Sequence, residues 1–254
     1  MHKSHPSQKM EQLGFIASSI AHDFNNLLTG IMGHASLALL KLPQHDESAR
    51  LHMEQALKTA QYASILTAQL LAYSQAEQPE TESLDLNFLI RETIELLATV
   101  LMQNVTLTFD FLPDLPPIEA VPAQLQQVIM NLAINATESI TQEKGELVIK
   151  TRRTTIRRGY EPALHDGSLL PAGEYVYFAI TDSGQGMDEA TMAHIFDPFF
   201  STKPHGQGIG LPAAYDIIKQ HRGGIAIESQ KNRGTTFTVF LPTAQRLPKY
   251  LPIH

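Results

Sequence analysis

The segment Gln127-Val-Ile-Met-Asn131-Leu-Ala-Ile-Asn135-Ala-Thr-Glu138 places two carboxamides inside an otherwise apolar run. A spacing of four residues puts Asn131 and Asn135 on one face of a helix. Side chains of this kind need polar partners, because burying an amide without hydrogen bonds costs free energy. Two interpretations stay open. The amides bond to each other or cap a nearby loop, or they belong to a Mg²⁺ site shared with nucleotide phosphates.

The residue patterns on both sides of this helix predict an α+β domain. Strict alternation over Val105 to Phe111 predicts a strand, and Pro122 suits the first turn of a helix that runs to about Ile140. Further strands are expected at 118–121, 146–157, 174–181, 225–229 and 235–241, with helices at 87–101 and 209–221. This order favours helices on one face of a mixed sheet.

The N-terminal part of the chain has a different pattern, in which apolar residues recur in steps of three and four. These seam residues are Met10, Leu13, Ala17, Ile20, Phe24, Leu27 and Ile31. They predict one long helix over 10–41. After a turn at Pro43, a second helix is expected from Ser48 to Tyr73. Two helices enclose no core alone, whereas two copies of the hairpin form a four-helix bundle. We therefore expect a homodimer through residues 10–75.

A short linker that contains Pro79 separates the two patterns. We expect a helical hairpin over residues 1–76, the linker over 77–83 and the α+β domain over 84–254.

The hairpin carries a candidate nucleophile in the run His22-Asp23-Phe24-Asn25-Asn26. The seam places His22 on the outward face of the bundle, where a large donor can reach it. Asp23 can accept a hydrogen bond from one ring nitrogen and leave the other free to attack. Asn26 lies one turn further on the same face. The plain alternative is a solvated surface pair. His34 falls on the seam and is expected to be packed.

A second candidate site is Asp182-Ser-Gly184-Gln-Gly186-Met187, which follows a predicted strand. Glycines let the backbone pass close to a flat ligand. A carboxylate at a strand end can accept a hydrogen bond from the amino group of adenine. An ordinary turn has the same pattern, so this motif by itself is weak.

A third candidate site begins in the run from Ile195 to Lys203 and continues into the glycine-rich segment 206–211, which opens a helix. Free backbone N–H groups at a helix N-terminus bind phosphate, and Lys203 can reach the same phosphates. The phenylalanines of this run are expected to anchor its loop against the core. They are Phe196, Phe199 and Phe200.

Composition narrows the class of protein. The chain has 254 residues, of which 43% are hydrophobic, no cysteine and a net charge of -7. The absence of cysteine excludes disulfides and thiolate metal sites, and the acidic balance argues against nucleic-acid binding. There is no apolar run of about 20 residues, the length that a membrane span needs. We expect a cytoplasmic protein without membrane contact from this segment, although a longer parent chain can be anchored.

Taken in order, these motifs resemble the catalytic core of the sensor histidine kinases of two-component systems over residues 8–242. AHDFNNLL is similar to the H box, QVIMNLAINATESI to the N box and DSGQGMD to the G1 box. IFDPFFSTK is similar to the F box, GQGIGL to the G2 box, and GTTF to the last element of the ATP pocket.

The resemblance implies a dimerisation and phosphotransfer hairpin followed by an ATP-binding α/β sandwich of the GHKL type. It implies His22 as phosphoacceptor, Asp23 as its acid/base partner and Asn26 as a residue that helps to dephosphorylate a response regulator. Asn135 is implied as the Mg²⁺ ligand with Asn131 nearby, and Asp182 as the adenine acceptor. The other residues implied at the nucleotide are Gly184, Gly186, Lys203, Gly208, Ile209, Gly210, Leu211 and Thr236.

Two positions depart from the family pattern. Pro212 follows the G2 box where a small residue is common. Glu138 stands where some branches carry a basic residue that touches phosphate, which favours Lys203 as the phosphate cation. The function implied is ATP-dependent autophosphorylation and transfer to an Asp of a response regulator, with phosphatase activity. The alternatives are a kinase-weak phosphatase or scaffold of the same fold, and another GHKL ATPase. An H box on a dimerising hairpin argues against the latter.

Overall fold

In the computed structural model of the chain, the described residues are 27–43, 46, 48–53, 56–57, 60, 63, 81–101, 105–141, 144–157, 162–203 and 208–244. The chain divides into two compact units, Met1–Pro79 and Glu80–His254. His22, Asp23 and Asn26 lie outside the described residues.

The described part of the first unit is helical over 27–41 and 48–53 and at 56–57, 60 and 63. Asp46 begins the second helical stretch, because its Oδ1 accepts a hydrogen bond from Ala49 N at 3.1 Å, as an N-cap carboxylate does. The Arg50 guanidinium donates to Leu39 O at 3.4 Å and joins the two stretches. This is the helix–turn–helix that the sequence predicted around Pro43.

The helical residues 27–41 divide into buried and exposed apolar positions within one protomer. Leu28 and Ala35 are only 8% and 5% exposed, whereas the seam residues Leu27 and Ile31 are 65% and 51% exposed. His34, which was expected to be packed, is exposed in the single chain. An apolar face is therefore left uncovered along the predicted seam.

The described part of the second unit is built on a five-stranded mixed sheet. Its strands, in spatial order, are β2 (Val105–Phe111), β4 (Gly145–Ile156), β5 (Gly173–Asp182), β7 (Gly234–Pro242) and β6 (Gly224–Gln230). In this sheet β2 and β4 pair in parallel, and the other neighbours pair antiparallel. A separate antiparallel pair joins β1 (Glu82–Leu84) to β3 (Ile118–Ala120). Glu82 and Ser83, which were predicted to lie in the linker, thus belong to β1. No local pattern indicates this strand, because the pairing partners Ala120 and Glu119 lie far downstream, in β3.

The described residues of this unit also form the helices α1 (Leu86–Leu101), α2 (Pro122–Ser139), α3 (Glu189–His194) and α4 (Gly210–Gln220). Together, α1, α2, α4 and the sheet form a mixed α/β sandwich. Helix α2 is its centre, with Leu125, Val128, Ile129 and Leu132 fully buried. Burial of this kind contributes about 1.5 to 3 kcal/mol for each large side chain.

The opposite face of the sheet carries a second apolar cluster. It is formed by Ile156, Leu164, Leu170, Tyr175 and Phe240. Leu164 and Leu170 come from the loop between β4 and β5, to which the sequence analysis assigned no chemistry. Within the described part of the chain, no helix is both long enough and apolar enough to cross a membrane.

Candidate nucleotide site

Asp182 is the last residue of β5 and is 3% exposed. Its Oδ1 accepts hydrogen bonds from Ser139 Oγ and from Gly184 N, both at 2.8 Å. The Ser139 hydroxyl also lies 2.7 Å from Ala136 O, so its single hydrogen serves one of two acceptors at a time. The end of α2 is thereby held against the end of β5.

Burial raises the pKa of the Asp182 carboxyl. Hydrogen bonds from Ser139, Gly184 and Thr235 oppose that rise, as does the positive charge of Lys203. A carboxylate in such a place is an acceptor set in a protected wall, which suits recognition of an amino group on a planar base.

The loop after Asp182 is fixed through its own backbone N–H groups. Gln185 N donates to Ser139 O at 3.1 Å, and Met187 N donates to Ser229 Oγ at 2.8 Å. Gly186 has a φ of +61°, and a Cβ there would lie 2.0 Å from Gln230 O. Only glycine fits this conformation and this approach. The buried end of the site, defined here as Asp182 to Gly186 with Ser139 and Thr235, is therefore part of the domain's packing.

Thr236 does not lie at this buried end. Its hydroxyl bonds to that of Thr181 at 2.9 Å, whereas Thr235 pairs with Asp182 and is 5% exposed. Successive side chains of a strand point to opposite faces, so only one of the two threonines can face the site. The pairing register of β5 with β7 thus places Thr235 beside Asp182, and the predicted Thr236 beside Thr181.

Asn131 and Asn135 have different partners, although they share a face of α2. Asn131 is 6% exposed, and its Nδ2 donates to Gly210 O at 2.8 Å. It ties α2 to the first turn of α4. This is the structural role that one of the two sequence interpretations allowed, a cap to a nearby segment.

Asn135 Oδ1 instead accepts a hydrogen bond from Lys203 Nζ at 2.8 Å. The same ammonium group lies 2.6 Å from Glu138 Oε2. These three residues, with Gly208 to Leu211, form what we call the open end of the site. An amide oxygen that already holds a cationic group has the donor chemistry that Mg²⁺ prefers, so Asn135 fits the implied metal. Among the described residues, no group of three or more His, Cys, Asp or Glu is placed to hold a metal ion.

The glycine-rich segment leads into α4 by a tight backbone approach. Gly208 has a φ of +63°, and its carbonyl accepts a hydrogen bond from Phe199 N at 2.8 Å. Ile209 is the N-cap residue of α4 and is 37% exposed. Leu211 is half-buried in the first turn. A Cβ on Gly210 would make only ordinary contact, at 3.5 Å from the Asn131 side chain.

The loop after α3 is anchored by one of its three phenylalanines. The Phe196 ring lies 4.6 Å from that of His165 and 5.1 Å from that of Tyr215, and burial lowers the pKa of His165. The ring of the half-buried Phe200 lies 5.7 Å from that of the exposed His194. Phe199 is 80% exposed, so the expectation that it anchors the loop is wrong. Its φ of +69° turns the chain back toward Gly208.

The structure thus brings most of the predicted nucleotide residues into two groups along the C-terminal half of α2, one at Ser139 and one at Asn135 and Glu138. Sequence reasoning missed Ser139 and Thr235, and it treated Glu138 only as a departure from a pattern. Ser139 follows Glu138 in the predicted helix, but its contact with Asp182 spans 43 residues of chain and leaves no local signal.

Two family models match the chain. Residues 12–79 match the His Kinase A (phospho-acceptor) domain, and residues 120–245 match the histidine kinase-, DNA gyrase B-, and HSP90-like ATPase. The chain belongs to the histidine kinase family. The predicted kinase core, with its helical phosphoacceptor region and its α/β ATPase domain, is thereby confirmed.

Known histidine kinases align along nearly the whole chain. Sensor kinase CckA of Brucella abortus (strain 2308) is 37% identical over 93% of this chain and 25% of its own length. Sensor histidine kinase ZraS of Escherichia coli (strain K12) is 30% identical over 92% of this chain and 46% of its own. The crystallised catalytic domain of histidine kinase ThkA is 29% identical, with a TM-score of 0.52 over 65% of this chain and 96% of that domain. The chain therefore spans less than half the length of either sensor kinase.

Proposed function

We propose that this histidine kinase core transfers the γ-phosphoryl group of ATP to His22 and then to an aspartate of a response regulator. One observation carries the proposal: a single chain matches both a phospho-acceptor domain and an ATPase domain, and the first contains His22-Asp23-Phe24-Asn25-Asn26. ATP use follows from the ATPase family.

In the proposed complex, the adenine amino group donates to Asp182 at the buried end. Gly184 and Gly186 keep the adjoining wall thin. Lys203 and the backbone of Ile209, Gly210 and Leu211 face the phosphates at the open end. These assignments rest on the acceptor chemistry of the first group and on the cation and helix N-terminus of the second.

The proposed metal ligand is Asn135, whose Oδ1 lies against an ammonium group in this structure. Bound Mg²⁺ would neutralise phosphate charge. Asn131, one turn earlier on α2, holds the first turn of α4 through its hydrogen bond to Gly210 O.

The phosphoryl transfer forms a P–N bond to one ring nitrogen of His22 and breaks the γ-phosphorus–oxygen bond, so that ADP leaves. Asp23 accepts a hydrogen bond from the second ring nitrogen and keeps the attacking lone pair in place. The phosphohistidine then donates its phosphoryl group to the carboxylate of an aspartate in the response regulator. In the separate phosphatase reaction, Asn26 orients a water toward the regulator's phosphoaspartate, whose hydrolysis gives aspartate and inorganic phosphate.

The functional protein is proposed to be a homodimer through residues 10–75. The support is the exposed apolar face along the seam, where Leu27 and Ile31 are more than half exposed in one protomer. Burying both in a second copy would contribute about 1.5 to 3 kcal/mol for each side chain that becomes fully covered. We further propose that the linker predicted over 77–83 supplies the hinge between a hairpin over 1–76 and the ATPase domain, that the hinge ends where β1 begins at Glu82, and that the core works in the cytoplasm.

The test is incubation of the purified chain with γ-labelled ATP and Mg²⁺. We expect label on the protein that acid releases and base preserves, and no label on His22→Ala. His52→Ala, an exposed helical histidine of the same unit, is the matched control and should label normally. Persistent label on His22→Ala would refute the assigned acceptor. ATP binding without any labelling would favour the kinase-weak alternative.

A further inference from the structure

The cation at the open end of the site is held by two neighbouring groups of one helix. Lys203 Nζ lies 2.8 Å from Asn135 Oδ1 and 2.6 Å from Glu138 Oε2. Asn135 and Glu138 are three residues apart on α2, so both face the same side. The side chains of Lys203 and Glu138 are 26% and 40% exposed, which leaves the pair only partly screened by water.

This contact occupies the atoms that the proposed reaction needs. Asn135 Oδ1 is the oxygen proposed for the metal, and Lys203 is the cation proposed for the phosphates. Placing an ammonium group and a divalent metal ion on one amide oxygen is costly, because both are positive. We therefore expect Lys203 to leave Asn135 when a metal-bound nucleotide binds.

We propose that Glu138 is a positioning residue that holds Lys203 against Asn135 while no nucleotide is bound, and that it thereby sets how strongly the site binds nucleotide phosphates. The inference rests on the proposed function, since it concerns ATP at the same site. The carboxylate competes with the phosphates for one ammonium group. It also lies directly beside Lys203, the cation proposed for the phosphates, so its negative charge would repel them.

The opposite role for Glu138 has an opposite signature. Carboxylate and amide oxygens three residues apart are also a plausible pair of Mg²⁺ ligands. In that case, neutralising Glu138 would weaken nucleotide binding in the presence of Mg²⁺. The positioning role predicts that neutralising Glu138 makes nucleotide binding tighter, because the charge that opposes the phosphates is removed.

The experiment is isothermal titration calorimetry of the full chain with ATP, in Mg²⁺ and separately in EDTA. Glu138→Gln keeps the size of the side chain and a hydrogen bond to Lys203 but removes the charge. We expect it to bind ATP about three- to fivefold more tightly in both conditions, the scale of a partly exposed ion pair. Glu119→Gln, an exposed glutamate of β3, should leave the affinity within error of wild type.

A second variant separates an effect of Glu138 that acts through Lys203 from a general change in the charge of the site. In the Lys203→Met background, Glu138→Gln should lose at least half of its effect, because the ammonium group it controls is gone. Full persistence of the gain in that background would overturn the proposal. So would unchanged affinity in Glu138→Gln, the mark of a passive surface pair, or weaker binding in Mg²⁺, the mark of a ligand. Failure of the wild-type chain to bind ATP would instead overturn the proposed function.

Discussion

The two ends of the nucleotide site are held together by different kinds of contact. At the buried end, Asp182 is 3% exposed and sits among backbone donors and close-packed glycines. At the open end, Asn135, Glu138 and Lys203 satisfy one another through flexible side chains at a partly exposed surface. The contacts of the buried end form as the domain folds, whereas the side chains of the open end can exchange partners while the domain stays folded.

This difference suggests a division of labour. If the proposed function holds, the rigid acceptor Asp182 would select the base at no cost in reorganisation, and the side chain of Lys203 would follow the phosphates as they arrive, react and leave. If that division holds, substitutions at the buried end should change stability, and substitutions at the open end should change binding alone.

The largest effect is expected on the free energy of unfolding, when the closely packed Gly186 is compared with Gly210, which has room for a Cβ. Gly186→Ala should destabilise the domain by about 3 kcal/mol or more, since its φ is +61° and its Cβ would meet Gln230 O at 2.0 Å. Gly210→Ala should change the free energy of unfolding by less than about 1 kcal/mol. Urea denaturation followed by circular dichroism measures both. Equal losses would remove the distinction between the two ends.

The next effect is on base recognition. Asp182→Asn should weaken ATP binding by about ten- to a hundredfold, the scale of a hydrogen bond to a charged group. Asparagine has only one acceptor oxygen, and its amide hydrogens oppose those of adenine. Fluorescence competition with a labelled nucleotide measures the change. Wild-type affinity in this variant would contradict the placement of the base at the buried end.

The same variant has a stability signature with a defined sign. Burial raises the folded-state pKa of Asp182 above the 3.8 of an unperturbed carboxyl, so the native state binds this proton more tightly than the unfolded state does. The cost of burying the charge is present above the folded pKa and is relieved as the pH falls through it. Asp182→Asn should therefore unfold at higher urea than wild type at neutral pH, and the advantage should shrink toward a pH of about 4.

The smallest effect separates the paired asparagines of α2. Asn135→Ala should weaken ATP binding about tenfold in Mg²⁺ and hardly at all in EDTA, with the free energy of unfolding within about 0.5 kcal/mol of wild type. Asn131→Ala should instead cost about 1 to 2 kcal/mol of stability, because it leaves Gly210 O without the amide of a buried side chain. A metal-independent loss in Asn135→Ala would assign that residue to packing as well.

Much of the α+β domain could be predicted from local patterns. The alternation in β2 and the proline at the start of α2 appear in the structure where the sequence placed them. Strand β4 was expected at 146–157 and is observed at Gly145–Ile156. Local patterns failed where a partner lies far along the chain. Strand β1 pairs with β3, and this pairing is invisible to a window that sees only the linker.

The candidate site shows the same limit. Glycine, aspartate and asparagine motifs could be recognised one by one, because each is local and follows from backbone geometry or donor chemistry. The pair of Lys203 with Glu138 could not, since 65 residues separate them. Nor could the choice between Thr235 and Thr236, which depends on the strand register.

The sequence by itself therefore determined which chemical groups this histidine kinase core carries and in what order. Periodicity, turn residues and motif spacing are properties of neighbouring residues, so they can be recognised in the sequence without a structure. Only the tertiary structure decided which of those groups touch, because long-range contacts arise when the sheet sets its register and α2 packs across it. The ammonium of Lys203 on Asn135 is a consequence of that packing, and so is the shielding of Asp182 from water.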